Sequence, residues 1–263
     1  MSDYAVELEF AKSVALKGGA IARRLYRADV DVAIKADESP VTLVDTSINA
    51  LIIKRVTDSF PEDIVEGEEE QKVGSNDRRW VCDPIDGTLA FIYKLPTFMV
   101  SIALVVHDEV VVAVAHNPMT NELYWAAKGG GSWRDGVRLH VSGRGWGKGS
   151  IIAGSSTPID RPEYVDKPEI IKALRKEGVI KLNAIGAVYK GCQVAEGSID
   201  GCILTDQHSY DVAAISLLVS EAGGRVTNAQ DQQLDFKDDC TTAIMTNKHI
   251  YDGLHAVYAG HIV

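Results

Sequence analysis

Two aspartates, Asp83 and Asp86, close the apolar run in "WVCDPIDGT" (Trp80 to Thr88). Carboxylates that close repel each other, and their burial is costly unless something neutralises them. Pro84 fixes one backbone dihedral and Gly87 permits a sharp exit, so the turn is expected to be rigid. Both carboxylates, with a freed carbonyl such as that of Ile85, can then face one point. Hard oxygen ligands in that arrangement suit Mg²⁺. One aspartate alone at the head of "GTLAFIYK" also fits a helix N-cap, which needs no metal. The full D-P-I-D-G-T run favours the metal. Five fixed positions in a chain this size recur by chance on the order of once in ten thousand sequences.

The segments around this turn read as alternating helices and strands. Tyr4 to Arg27 carries Val6, Phe10, Val14, Leu16 and Ile21 at helical spacing, with a soft break expected at Gly18-Gly19. "DVAIKADESP" is expected to run from strand into loop. Asp45 is positioned to cap the amphipathic "TSINALIIKRVTDSF", which stops before Pro61. "DIVEGEEE" reads as a short strand entering an acidic turn. "TFMVSIALVVHDEVVVAVAHNP" predicts two strands around a turn at His107-Asp108-Glu109, and its valine-rich runs predict a sheet buried on both faces. "ELYWAAKGGGSWRDGVRLHV" adds a strand and a hairpin at Asp135-Gly136.

From Ser150 onward the pattern alternates strand and helix through "SIIAGS", "PEIIKALRKEG", "VIKLN", "AVYKGCQVAEGS", "DGCIL" and "DVAAISLLVSEAGG". The glycine-rich Ser142 to Ser150 is expected to be a flexible linker. It divides an N-terminal α+β half, 1–147, from a C-terminal α/β half, 148–263. A nucleotide P-loop is excluded there, because Ser142 replaces the leading glycine and Gly149 the terminal Ser or Thr.

Composition narrows the function classes. The chain has 263 residues, 46% hydrophobic and 24% charged, with net charge −10. That charge argues against nucleic acid or an anionic membrane surface as the partner. Cys82, Cys192, Cys202 and Cys240 form no CxxC pair and read as free thiols of a reducing compartment. "MSDYAVELEF" has no secretory pattern, and no apolar stretch reaches membrane-span length, so a cytoplasmic location without a membrane partner is expected.

The motif D-P-I-D-G-T resembles the signature of the inositol monophosphatase family, Mg²⁺-dependent and lithium-sensitive sugar-phosphate phosphatases. "GEE" at Gly67 to Glu69 is similar to the family's upstream acidic turn. "SPVTLVD" at Ser39 to Asp45 resembles its SPVTxAD segment, and "YDVAAISLLVSEAGG" at Tyr210 to Gly224 its downstream W-D-x-A-A/G segment. The order and separations agree from about residue 5 to 260.

The resemblance implies a layered αβαβα sandwich of the α/β (α+β) class. Glu68, Asp83 and the Ile85 carbonyl would hold a first Mg²⁺, and Asp83, Asp86 and Asp211 a second. Asp45 and Thr88 would orient the attacking water, with Glu68 shared between that water and a weaker third ion. Gly87 and Thr88 would offer backbone N–H groups to the phosphate, and Ser155, Gly186, Val188 and Asp211 would line the substrate pocket. The resemblance further implies two or three Mg²⁺ per site, Mn²⁺ as a substitute, inhibition by Li⁺, and a homodimer. The implied substrate is a small phosphate monoester. Inositol 1-phosphate ranks first, then histidinol phosphate, fructose 1,6-bisphosphate and 3′-phosphoadenosine 5′-phosphate. A catalytically silent binding protein of the same fold is the non-enzyme alternative.

Four positions depart from the family pattern. Tyr210 stands where tryptophan is usual, Ile215 where glycine is common, and Ala90 where an asparagine occurs. Leu204 replaces a glutamate that binds substrate hydroxyls in inositol-type members.

Overall fold

Helix α1 (Ala5–Leu25) buries Leu8, Ala11, Val14, Ala15, Gly18, Gly19 and Ala22, a stripe at three- and four-residue spacing. The expected break at Gly18-Gly19 is absent, and the helix runs straight through it. The two glycines serve close contact instead. A Cβ on Gly19 would lie 2.2 Å from Nδ1 of His116, and one on Gly18 3.0 Å from the Ile48 side chain.

The computed structural model describes residues 3–28, 32–34, 40–154, 168–183, 186–205, 207–236 and 242–259. After α1 come β1 (Val32–Ile34) and β2 (Pro40–Thr42), an antiparallel pair, and then α2 (Leu43–Ser59). The sequence assigns the cap of α2 to Asp45, but Thr42 takes that place. Its hydroxyl accepts from the Val44 N–H at 3.2 Å, while Asp45, in the first turn, accepts from the Thr42 N–H at 2.9 Å. This reciprocal box starts the helix earlier than the apolar spacing alone suggests.

An eight-stranded sheet follows, built from β3 (Ile64–Gly67), β4 (Gln71–Lys72), β5 (Arg78–Asp86), β6 (Met99–Val106), β7 (Glu109–His116), β8 (Leu123–Ala127), β9 (Ser132–Arg134) and β10 (Val137–Arg138). The short helix α3 (Thr88–Ile92) interrupts it after β5. The spatial order is β10-β9-β8-β7-β6-β5-β3-β4, with every neighbour antiparallel except the β3–β5 pair. His107 and Asp108 both have positive φ, 51° and 62°, in the tight turn between β6 and β7. Strands β6 and β7 are buried along nearly their whole length, the two-faced burial that their valine runs predict.

The remaining elements are β11 (Ile151–Gly154), α4 (Pro168–Lys176), β12 (Ile180–Asn183), α5 (Ala187–Ala195), β13 (Gly201–Thr205), α6 (Ser209–Glu221), β14 (Arg225–Thr227), β15 (Thr242–Thr246) and α7 (Tyr251–Ala259). The five-stranded sheet has the order β12-β11-β13-β15-β14. Its first three strands are parallel, and β15 runs antiparallel to both neighbours.

Three apolar clusters glue these parts into the expected αβαβα layers. The first joins α1 and α2 to one face of the large sheet, through Val14, Ile48, Ile52, Trp80 and Val100. The second lies around α5 and α6, sandwiched between the large sheet and the small one. The third packs α4 and α7 on the far face of the small sheet, through Ile170, Leu174, Ile203, Ile244 and Leu254. In the middle layer a Cβ on Gly191 would lie 2.4 Å from the Cβ of Ile215. The small residue that lets α5 and α6 approach is therefore on α5, opposite the bulky Ile215.

The expected flexible linker is pinned down. Arg144 Nε donates to the fully buried Asp200 at 2.8 Å, and Arg144 Nη2 donates to the Gly197 and Ser198 carbonyls at 3.0 Å each. Asn247 Nδ2 donates to the Arg144 carbonyl at 3.1 Å. A buried carboxylate needs partners, and this loop supplies them. Cys82, Cys192 and Cys202 are buried free thiols, and Cys240 lies outside the described residues. Among the described residues no helix is long and apolar enough to cross a membrane.

Candidate active site

A regular strand sends residues three apart to opposite faces, so Asp83 and Asp86 would diverge if β5 were regular. It is not. Asp83 pairs with Ser101 and Asp86 with Met99, so β5 fits one more residue into the interval than β6 does. This bulge returns both aspartates to one side. Pro84, which has no N–H for the ladder, occupies the irregular stretch. The Ile85 N–H donates to Asp83 Oδ1 at 2.9 Å and fixes the turn. Gly87 then leaves in the left-handed region, φ 87° and ψ 50°, directly before α3.

Other elements bring further carboxylates to the same place. Asp211 lies in the first turn of α6, where Oδ2 accepts the His208 N–H at 2.8 Å. Ligand oxygens of Asp83, Asp86 and Asp211 all lie within 4.8 Å of one another. Glu68 follows β3, whose parallel pairing sets Gly67 beside Cys82, and its N–H donates to the Cys82 carbonyl at 3.1 Å. Glu68 is close enough to Asp83 to hydrogen-bond and to repel its charge. Asp45, held by Thr42, accepts from Thr88 Oγ1 at 3.3 Å, and that hydroxyl is also 3.3 Å from the Ile85 carbonyl.

Asp86 is gripped from the other side of the molecule. Its Oδ1 accepts the Ala187 N–H at 2.8 Å and its Oδ2 the Val188 N–H at 3.0 Å. Both donors belong to the first turn of α5, where free N–H groups and the helix dipole favour an anion. Gly186, φ 86°, makes this contact possible, because a Cβ there would lie 2.6 Å from Asp86 Oδ2.

Of the residues expected to line a substrate pocket, Gly186 and Val188 thus touch Asp86. The Val188 side chain is fully buried, so it reaches the site through its backbone N–H. Ser155 lies outside the described residues. Leu204 and Ala90 are core residues, and Tyr210 stacks on His208 at 5.0 Å between ring centroids. The sequence reading passed over Lys190 and Thr42. Lys190 had a visible signal, a lysine on the otherwise apolar buried stripe of "AVYKGCQVA".

Burial makes this cluster hard to ionise. Asp45, Asp83 and Asp86 are 0, 2 and 4% exposed. Desolvation, then the charges of Glu68, Asp86 and Asp211, push the Asp83 carboxyl far above the usual range. Desolvation raises Asp86 to about 6, against the opposing pull of the Ala187 N–H and the Lys190 charge. Desolvation and then the Asp86 charge raise Asp211 to about 7. Desolvation also raises Asp45, which the Thr42 hydrogen bonds partly offset. Among the described residues no lysine or arginine is ion-paired with these four aspartates. A set of converging carboxylate oxygens without an ion-pair partner fits a hard divalent cation.

The raised values give a sign to the pH dependence of the metal-free protein. Between about pH 4 and pH 7 its folded state holds more protons than the unfolded chain, whose aspartates titrate near 3.8. Stability is therefore full at the acidic end and is lost as pH rises through the folded-state values. Calorimetry of chelator-treated protein should record a Tm that this cluster lowers from pH 5 to pH 8. Added Mg²⁺ should raise Tm more at pH 8 than at pH 5. A larger Mg²⁺ effect at the acidic end contradicts the cation site.

Comparison with known proteins agrees with this geometry. Residues 3–261 match the model of the inositol monophosphatase family. The chain is 35% identical over 204 residues to an inositol monophosphatase of Dictyostelium discoideum, covering 75% of each chain. It is 34% identical over 226 residues to the Nus factor SuhB of Escherichia coli K12, covering 84% of each. Its fold superposes on the crystal structure of the extragenic suppressor protein suhB from Bartonella henselae. That match has a TM-score of 0.91 at 27% identity, over 98% of this chain and 100% of the other. A match that spans nearly every residue, and the carboxylate cluster within it, place the chain in the inositol monophosphatase family.

Proposed function

We propose that this protein is a Mg²⁺-dependent phosphomonoesterase that hydrolyses a small polyol phosphate. The observation that carries this reading is the convergence of Asp83, Asp86 and Asp211 within 4.8 Å, with Glu68 and the Thr88–Asp45 pair beside them. Asp83, Asp86 and Asp211 would hold one ion, and Glu68, Asp83 and the Ile85 carbonyl another. Divalent cations at such a site neutralise a phosphate ester and acidify water. The chain's own groups do the positioning. The Thr88 hydroxyl donates to Asp45, which leaves its lone pairs free to accept a hydrogen bond from the attacking water, and a proton taken from that water would be matched by the Thr88 proton passing to Asp45. Gly87 and Thr88, at the start of α3, have N–H groups without an intrahelical partner that would take phosphate oxygens.

Inositol 1-phosphate and histidinol phosphate are the first two substrates to try, then fructose 1,6-bisphosphate and 3′-phosphoadenosine 5′-phosphate. Leu204 tempers the inositol assignment, since a buried leucine accepts no hydrogen bond from a substrate hydroxyl. Phosphate release from each ester, with Mg²⁺ and with chelator, tests the reading. Chelator-sensitive hydrolysis of at least one ester is expected. The similarity to Nus factor SuhB favours a second reading, a binding protein of the same fold. Absence of Mg²⁺-dependent hydrolysis for every ester would move the protein to that class.

A further inference from the structure

Among the described residues Lys190 is the only buried lysine or arginine, at 4% exposure. It sits in the first turn of α5, three residues after Ala187, whose N–H holds Asp86. Helical side chains lean toward the N-terminus, and positions three and four apart share a face. The Lys190 ammonium is therefore directed back along α5 toward the end that carries Asp86. Its hydrogen bond to the Gly154 carbonyl is long at 3.4 Å. An ammonium has three donors, so this one is poorly served by neutral partners. A buried charge persists only if compensated, and the carboxylates of Asp86 and Asp211 are among the groups that favour it.

We infer that Lys190 is a built-in counter-charge of the carboxylate site, which steadies the site when empty and weakens its hold on divalent cations. This inference rests on the reading of Asp83, Asp86 and Asp211 as a cation site. The electrostatics are mutual: the Lys190 charge favours ionised Asp86, while desolvation pulls the lysine down and Cys202, then Asp86 and Asp211, oppose that pull. A divalent ion among the same carboxylates meets a like charge inside the protein, where repulsion is less screened than in water. The result is a site held open without metal and filled by an ion that can leave again. Fast exchange of that kind suits a site that must release an anionic product.

The test is Mn²⁺ titration by calorimetry on the full chain, with the melting temperature of the metal-free protein measured alongside. Lys190→Met is expected to bind Mn²⁺ about tenfold more tightly, or better, than the wild type. The same variant should melt lower without metal, because the carboxylates lose a nearby positive charge. Lys190→Arg should stay near the wild type on both counts. A lysine with a merely structural role would lower Tm without tightening Mn²⁺. Unchanged or weaker Mn²⁺ binding by Lys190→Met therefore overturns the inference. If the metal-free variant does not fold, saturating Mn²⁺ should recover it and its Lys190→Gln counterpart. Failure to recover either one also overturns the inference. Absence of Mn²⁺ binding to the wild type removes the cation reading itself, and this inference with it.

Discussion

Asp86→Asn is expected to lower kcat/KM for Mg²⁺-dependent phosphate ester hydrolysis about a thousandfold or more while leaving the fold in place. The substitution is nearly isosteric, so the bulge of β5 and the packing of α5 need not change. Two stability effects oppose each other. The neutral amide relieves repulsion within a cluster where Asp86 raises both Asp83 and Asp211. It also sets an NH₂ against one of the two α5 N–H groups that now donate to the carboxylate, at a cost of about 1–3 kcal/mol. Tm of the metal-free variant should accordingly stay within a few degrees of the wild type. What must disappear is the rise in Tm on adding Mg²⁺. A variant that keeps that rise and also hydrolyses normally would remove Asp86 from the site.

The second large effect is expected at a residue with no functional group. Gly186→Ala places a methyl group 2.6 Å from Asp86 Oδ2, well inside contact distance. The neighbour cannot yield freely, because both carboxylate oxygens are engaged by α5. The backbone at φ 86° also strains an L side chain by about 1–3 kcal/mol. The variant should therefore lose stability by roughly that amount and displace Asp86 from its partners. A misplacement near 1 Å at a reacting centre costs about a hundredfold in rate. The expected signature is a drop of that order in kcat/KM together with weaker Mn²⁺ binding. Full activity with normal metal affinity would show that the grip of α5 on Asp86 does not matter.

Much of this site is legible in the primary sequence because its parts are local. Pro84 and Gly87 announce a rigid turn, and two aspartates in that turn announce a charge problem. The order of helices and strands is legible too, because apolar spacing is a property of each segment alone. Two of the errors share a physical origin, since they depend on what lies across the fold. Gly18-Gly19 reads as a weak point until His116 and Ile48 are seen pressing on it. Ser142 to Ser150 reads as loose until Asp200, buried and in need of donors, captures Arg144. Asp45 reads as the helix cap, although Thr42 three residues earlier forms a local capping-box pattern with it. The Val188 amide donates to Asp86 at 3.0 Å, a contact that no local pattern shows. Lys190 could have been noticed, but its meaning appears only when α5 is laid against the end of β5.

The middle pair of helices has one more consequence. Helices α5 and α6 lie in a cluster shared with both sheets, so each sheet borrows the same apolar cover. Neither can peel away and leave its neighbour dry. Loosening either one would flood the other's inner face, so the molecule should melt as one cooperative unit, even though its chain reads as two successive halves.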